Sequence, residues 1–199
     1  MIIGVTNIKG GVGKTTSSLA IATAAQRSGL SVTVVDTDPQ GSATLWAQAA
    51  EDADDPLPFP VVSRNQAEIR RMRERRPDRN GELIVIDTPP NGSVVDEAIK
   101  TADFVVIPTL SSPIDLQQTM LTAAQCQDAG KDYAVLIVMA RKGTNALRAF
   151  RTAVEEYGAG IFDTEIPLRE DFKADFGHTF RSNLNGYEDV WNELRGELR

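Results

Sequence analysis

Short runs of aliphatic and β-branched residues alternate along the chain with longer stretches in which alanine and leucine recur at helical spacing. Five runs are nearly continuous in Val, Ile, Leu or Phe: Ile2–Asn7, Ser31–Asp36, Leu83–Asp87, Phe104–Pro108 and Ala134–Met139. Continuity, in place of strict alternation, is the pattern of strands buried on both faces. Between them, Thr15–Ser28 and Leu116–Ala129 are alanine-rich and stop at Gly29 and Gly130, the residue type that most readily ends a helix. Asn145–Tyr157 predicts another helix, followed by Gly158 and a weaker strand over Gly160–Asp163. A last helix from about Tyr187 would align Val190, Leu194 and Leu198 on one face. The acidic, proline-rich segment Glu51–Pro60 reads as an exposed loop and not as a domain linker.

This alternation predicts an α/β fold, a mostly parallel sheet flanked by helices on both faces. A chain of 199 residues suits one such domain, 1–199, with a sizeable core. In sheets of this kind ligands bind outside the carboxyl ends of the strands. Three segments with chemical potential fall there: Lys9–Thr16, Asp36–Gln40 and Asp87–Pro90. None of them defines the strands, so their convergence supports the sheet independently.

The loop after the first strand is Lys9-Gly10-Gly11-Val12-Gly13-Lys14-Thr15-Thr16. The strict phosphate-loop pattern asks for glycine six residues before the lysine, and Ile8 stands there. What remains is a deviant form that keeps the physics. Glycines let backbone N–H groups turn inward against a phosphate, and the following helix offers its positive end. Lys14 can then neutralise β- and γ-phosphate oxygens, and Thr15 can give a hydroxyl to magnesium. A purely structural turn would need neither two lysines nor Thr15-Thr16.

Asp87 ends the run Leu83-Ile84-Val85-Ile86, in position to hold magnesium through water. Asp36-Thr37-Asp38-Pro39-Gln40-Gly41 places two more carboxylates on the same edge. Phosphoryl transfer to water needs a group that orients the attacking molecule, and residue chemistry alone does not choose between Asp36 and Asp38.

Together, Lys9–Thr16, Asp36–Ser42 and Asp87–Pro90 resemble the deviant Walker A, switch I and Walker B/switch II motifs of the ParA/MinD ATPases. Ile166-Pro167-Leu168-Arg169 extends the resemblance over nearly the whole chain, and its length resembles the small ParA proteins of plasmid partition that lack an N-terminal DNA-binding extension. The resemblance implies a P-loop NTPase fold, ATP and Mg2+ as cofactors, and weak intrinsic ATP hydrolysis. It implies that Lys9 is the signature lysine, which reaches the partner's phosphates in an ATP-sandwich homodimer; within its own protomer this charge has no obvious target. Asp38 matches the water-orienting residue and Asp36 one near the magnesium shell with Thr15 and Asp87. Gly10, Gly11, Val12, Gly13, Lys14, Thr15 and Thr16 match the phosphate contacts, and Ile166, Pro167, Leu168, Arg169 and Phe172 the adenine contacts. Many relatives carry asparagine after the strand equivalent to Ala134–Met139; Ala140 precedes Arg141 here, so no adenine role is carried over to that position.

The resemblance further implies non-specific binding to nucleoid DNA and a ParB-like centromere-binding partner that stimulates hydrolysis. Arg148, Arg151, Lys173, Arg181 and Arg195 are candidate phosphate-backbone contacts. A related class distributes protein cargo such as microcompartments or chemoreceptor clusters, and a third uses the same ATP chemistry on a small substrate. The net charge of −7 argues against a protein basic all over without excluding local patches. One such patch, Ile69–Arg76, reads first as a solvated helix face.

A membrane cycle would need a basic amphipathic C-terminus, and residues 188–199 carry four acids against two arginines. No apolar run reaches membrane-span length, and Met1–Val5 reads as a strand instead of a signal peptide. The single cysteine, Cys126, and the single histidine, His178, exclude an internal disulfide and a cysteine- or histidine-rich metal site. A cytoplasmic, nucleoid-associated protein is the expectation.

Overall fold

The apolar runs are continuous because both faces of the sheet are covered. In the computed structural model, which describes residues 1–74, 81–169 and 175–197, six parallel strands form one sheet. They are β1 (Ile2–Val5), β2 (Ser31–Asp36), β3 (Val61–Ser63), β4 (Glu82–Asp87), β5 (Phe104–Thr109) and β6 (Asp132–Ile137), in the order β3-β2-β4-β1-β5-β6. Ile3 and Val5 of β1 pack on one side with Val34, Val85, Val106 and Leu136. Their neighbours Ile2, Val35, Ile84 and Ile86 pack on the other.

The first side is covered by α1 (Lys14–Arg27), α2 (Ser42–Asp52) and α7 (Tyr187–Glu197), which supply Leu19, Ile21, Trp46, Val190, Trp191 and Leu194. The second is covered by α3 (Gln66–Glu74), α4 (Ser93–Thr101), α5 (Pro113–Asp128) and α6 (Asn145–Glu156). Helix α1 lies deepest. Nearly every residue from Ser17 to Ala25 is buried, so small residues are needed all round and no polar stripe marks its surface.

The expected helices are present, each shifted by up to three residues at an end. Two helices and one strand were not expected, α2, α4 and β3, while α3 contains most of the basic segment read as a helix face. The weak strand expected at Gly160–Asp163 is reduced to a single bridge, Ile161 with Val135, because the chain there runs beside β6 for one residue only. The basic segment is not simply a solvated face. Arg70 and Arg73 of α3 both reach the buried Glu97 of α4, at 3.4 and 3.1 Å, and tie the two helices together. Arg75, Arg76, Phe172, Lys173, Leu198 and Arg199 lie outside the described residues. No helix among the described residues is long and apolar enough to cross a membrane.

The topology gathers the three motif loops. Strand pairing sets Val5 opposite Asp87 and Asp36 opposite Asp87, so the loops leaving β1, β2 and β4 start side by side. The chain leaves β1 toward β2 but leaves β5 toward β6, and a crevice opens where such connections diverge.

Candidate functional site

The loop Lys9–Gly13 turns at Gly11 and Gly13, both with φ of +74°. A side chain would be strained in that left-handed conformation, which glycine adopts freely. Gly13 is also the N-cap of α1, and Gly41, φ +63°, is the N-cap of α2. Neither can supply a side-chain cap, and neither helix carries an acid in its first turn. By contrast, α5 and α6 start with Ser112 and Thr144, whose hydroxyls accept from Asp115 N–H and Leu147 N–H. The helices at the motif edge therefore present their positive ends uncovered. Both open onto a cavity of about 460 Å³ lined by Gly10, Gly11, Lys14, Thr15, Asp38 and Gln40, among others.

Lys14 is buried, with 7% exposure, and its ammonium donates to the Lys9 carbonyl at 2.9 Å. Burial pushes its pKa below the usual lysine range, while the charges of Asp87 and Asp38 act against that shift. A buried ammonium beside uncapped helix ends is matched by an anion of high charge density, which fits a nucleotide's phosphates.

Asp87 is fully buried and accepts from the Thr15 hydroxyl at 2.8 Å and the Ser18 hydroxyl at 3.0 Å. Burial raises its pKa to about 7, against the pull of those two hydrogen bonds; Asp36 adds to the rise and Lys14 opposes it. A divalent cation near Thr15 would relieve the penalty of this buried carboxylate, so the donor set fits magnesium. No group of three or more His, Cys, Asp or Glu that could hold a metal exists among the described residues.

Asp36 has both oxygens engaged. Oδ1 accepts from Asp38 N–H at 3.1 Å, and Oδ2 accepts from the N–H and hydroxyl of Thr44 at 2.9 and 2.8 Å. It thereby fixes the loop and the first turn of α2. Asp38 is half-buried and lines the cavity; its Oδ1 accepts from Gln40 N–H at 2.9 Å.

Lys9 does have a partner in its own protomer, contrary to the expectation from sequence. Its ammonium pairs with Oδ1 of Asp115 on α5. Asp115 is the N3 residue of a capping box, and its other oxygen takes the hydroxyl and N–H of Ser112. Burial would raise its pKa, but the hydrogen bonds from Lys9 and Ser112 and the lysine charge outweigh burial and hold it below the usual carboxylate range. Two further residues of α5 grip the same stretch of chain. Thr119 Oγ1 accepts from Asn7 Nδ2 at 3.4 Å, and Thr122 Oγ1 accepts from Ile8 N–H at 3.2 Å. Positions 115, 119 and 122 share one helix face, so three successive residues, 7 to 9, are held by one side of α5.

Ile166, Pro167, Leu168 and Arg169 line a second, mainly apolar cavity with Gly13, Thr16, Val138, Met139 and Tyr187. The segment is placed by three backbone hydrogen bonds, Ile166 N–H to Ile137 O, Ala140 N–H to Ile166 O and Leu168 N–H to Ala140 O. Ala140 thus contributes its backbone. Tyr187 and Met139 were not anticipated; the first pairs with Ser17 at 2.8 Å, and the second has a positive φ of 52° that is uncommon for its residue type. Of the four described basic candidates, Arg148 and Arg195 are exposed, and among the described residues their guanidinium groups bond only to the nearby Asn145 and Asn192. Arg181 is exposed beside Asp175. Arg151 is occupied by Glu165 and the Phe162 and Asp163 carbonyls. The sequence held one cue to Asp115 in Ser112-Pro113-Ile114-Asp115, the spacing of a capping box with proline at the first helical position.

A parallel α/β sheet with a glycine loop, buried lysine and strand-end aspartate at its carboxyl edge defines a nucleotide-binding domain. The family model described as CobQ/CobB/MinD/ParA nucleotide binding domain matches residues 3–179, and the chain belongs to this family. It is 34% identical over 170 residues to the maintenance of carboxysome distribution protein A of Gloeobacter kilaueensis, covering 83% of this chain and 76% of that one. It is 26% identical over 206 residues to protein ParA of Rhizobium radiobacter, covering 99% and 90%. Among solved structures, cobyrinic acid a,c-diamide synthase from Mycobacterium smegmatis with bound ATP analogue and magnesium superposes with a TM-score of 0.72 at 19% identity, over 99% of this chain and 95% of that one.

Proposed function

We propose that the chain is a magnesium-dependent ATPase that cycles between a monomer and an ATP-bound homodimer to distribute cargo over DNA. The observation that carries this reading is the single cavity in which two uncapped helix N-termini, the buried Lys14 and the carboxylate of Asp38 converge. Gly10–Thr16 bind the phosphates, and Ile166–Arg169 receive the base. Magnesium, held on the side of Thr15 and Asp87 with Asp36 behind them, would neutralise charge on the phosphates. Asp38 orients the attacking water and accepts a hydrogen bond from it. Lys9 leaves Asp115 and reaches the partner's phosphates, where its charge stabilises the transferring phosphoryl group.

The greater identity to a carboxysome-distribution protein than to ParA supports protein cargo. Partition of plasmid or chromosomal DNA with a ParB-like partner is the second reading, supported by the likeness to ParA along almost the whole chain. Both readings use non-specific DNA, with exposed Arg148, Arg181 and Arg195 as contacts and Arg151 a weaker contributor because it is already engaged.

Light scattering and DNA mobility shifts with ATP and with ADP test the cycle. ATP alone should give dimers that bind DNA. Asp38→Ala should keep nucleotide binding and dimerisation while losing hydrolysis, and Lys14→Ala should weaken nucleotide binding itself. A strict monomer with ATP, or equal DNA binding with ADP, would overturn the reading. The product of a neighbouring gene, added to the ATPase assay, separates the two kinds of cargo.

A further inference from the structure

The phosphate cavity has an aromatic wall. Trp46 of α2 and Phe176 line it alongside the glycines, Lys14 and Asp38. Their ring centroids lie 5.4 Å apart with planes tilted by 57°. Trp46 is buried and also stacks on the buried Phe180, at 5.3 Å. Phe176 is 54% exposed. Core packing therefore accounts for Phe180 and leaves the position of Phe176 unexplained.

That position is not slack. The Trp46 indole N–H donates to the His178 carbonyl at 2.9 Å, and Thr179 N–H donates to Asp55 Oδ2 at 3.1 Å. The guanidinium of Arg27, at the end of α1, holds the successive carbonyls of Phe180, Arg181 and Ser182 at 2.7, 2.7 and 3.0 Å. Gly177, φ +76°, is pressed so closely on α2 that an added Cβ would lie 3.0 Å from the Ala49 Cβ. This strap sets Phe176 against Trp46. Trp46 in turn stands on the second residue after Thr44, which Asp36 fixes, and the loop Asp36–Gln40 carries Asp38 into the same cavity.

We propose that Phe176 is a positioning residue for ATP hydrolysis: with Trp46 it closes the aromatic side of the phosphate cavity to bulk water and braces the start of α2, so that Asp38 faces one ordered water. The inference rests on the ATPase reading above. Two physical effects carry it. An apolar wall lowers the local dielectric around the phosphate charges, and a braced loop limits the number of water positions that Asp38 can engage.

The test compares Phe176→Ala and Phe176→Leu with the parent in steady-state hydrolysis of Mg-ATP, with Mg-ATP affinity read separately by equilibrium dialysis and tryptophan emission recorded with ATP and ADP. Phe176→Ala should lower kcat by roughly ten- to a hundredfold, the upper end being what a displacement of about 1 Å can cost, with KM and affinity within about twofold. Phe176→Leu should recover most of the loss. The parent should show an ATP-specific emission change that Trp46→Phe abolishes and Phe176→Ala diminishes, Trp191 serving as the constant background. An unchanged kcat, a loss confined to KM, or loss of the ATP dimer in Phe176→Ala would overturn the assignment, the last by making Phe176 a contact between copies. Tight Mg-ATP binding and turnover by the parent alongside an unaffected Phe176→Ala would sink this inference and leave the ATPase reading standing. A parent that neither binds nor hydrolyses ATP would sink both.

Discussion

Replacing Asp115 by asparagine isolates the interaction that holds Lys9 at home. Asp115 uses Oδ2 for Ser112 and Oδ1 for Lys9. Asparagine keeps one oxygen for the capping box and turns a donor N–H2 toward the ammonium, so the helix cap survives while the ion pair does not. A charge-assisted hydrogen bond contributes about 1.5–3 kcal/mol. The Lys9 side chain is 29% exposed against 2% for Asp115, so a released ammonium rehydrates and the net loss falls to about 1–2 kcal/mol. For a chain of this size that corresponds to a melting temperature lower by roughly 2–8 °C. If Lys9 must leave Asp115 to reach a partner, the monomer loses this energy and the ATP dimer does not. Dimerisation with ATP should then tighten by roughly five- to thirtyfold for each lysine released. Concentration-dependent light scattering in saturating Mg-ATP measures this directly. A folded Asp115→Asn protein whose ATP dimer is no tighter than the parent's would refute the latch.

Three further outcomes follow from the geometry. The Asp115 pKa is depressed in the folded protein, so its stabilisation is fully present above the unfolded value of about 4 and lost as pH falls through the lower folded value; melts between pH 2 and 7 should show parent and Asp115→Asn converging only at the acid end. Glu97→Gln should destabilise the fold by about 1–2 kcal/mol, because Arg70 and Arg73 lose a buried carboxylate, and urea unfolding should show it without a change in Mg-ATP affinity. Tyr187→Phe removes the hydroxyl paired with the buried Ser17, so about 1–3 kcal/mol of stability should go, with a thermal shift smaller than 1 °C counting against the bond.

Much of the sheet was readable because parallel strands buried on both faces write unbroken apolar runs, as Leu83–Asp87 and Phe104–Pro108 do. Strand β3 escaped because three residues after a proline-rich loop leave no pattern, and α4 because Ser93-Val94-Val95 begins it with β-branched residues that favour extended chain. The phosphate loop, Asp36, Asp38 and Asp87 were legible because each follows a strand, and topology brings strand ends together. The partner of Lys9 was not, since residues 9 and 115 meet only once β1 and β5 pair. Phe176 is further still from any local signal: its neighbour Trp46 lies 130 positions earlier, and only the packed strap brings the rings together.

The grip of α5 on residues 7 to 9 carries a consequence for how this helix can be altered. Asp115, Thr119 and Thr122 act as three teeth at fixed angular positions. Inserting or deleting one residue between them turns the later teeth by about 100° and shifts them by about 1.5 Å. Ile114 and Leu121 on the same helix are exposed and make no part of this grip. Helix α5 is therefore tolerant of new letters on its outside and intolerant of any change in length along this span, and a library of deletions across residues 115–122 should lose nucleotide-dependent behaviour long before a library of outward substitutions does.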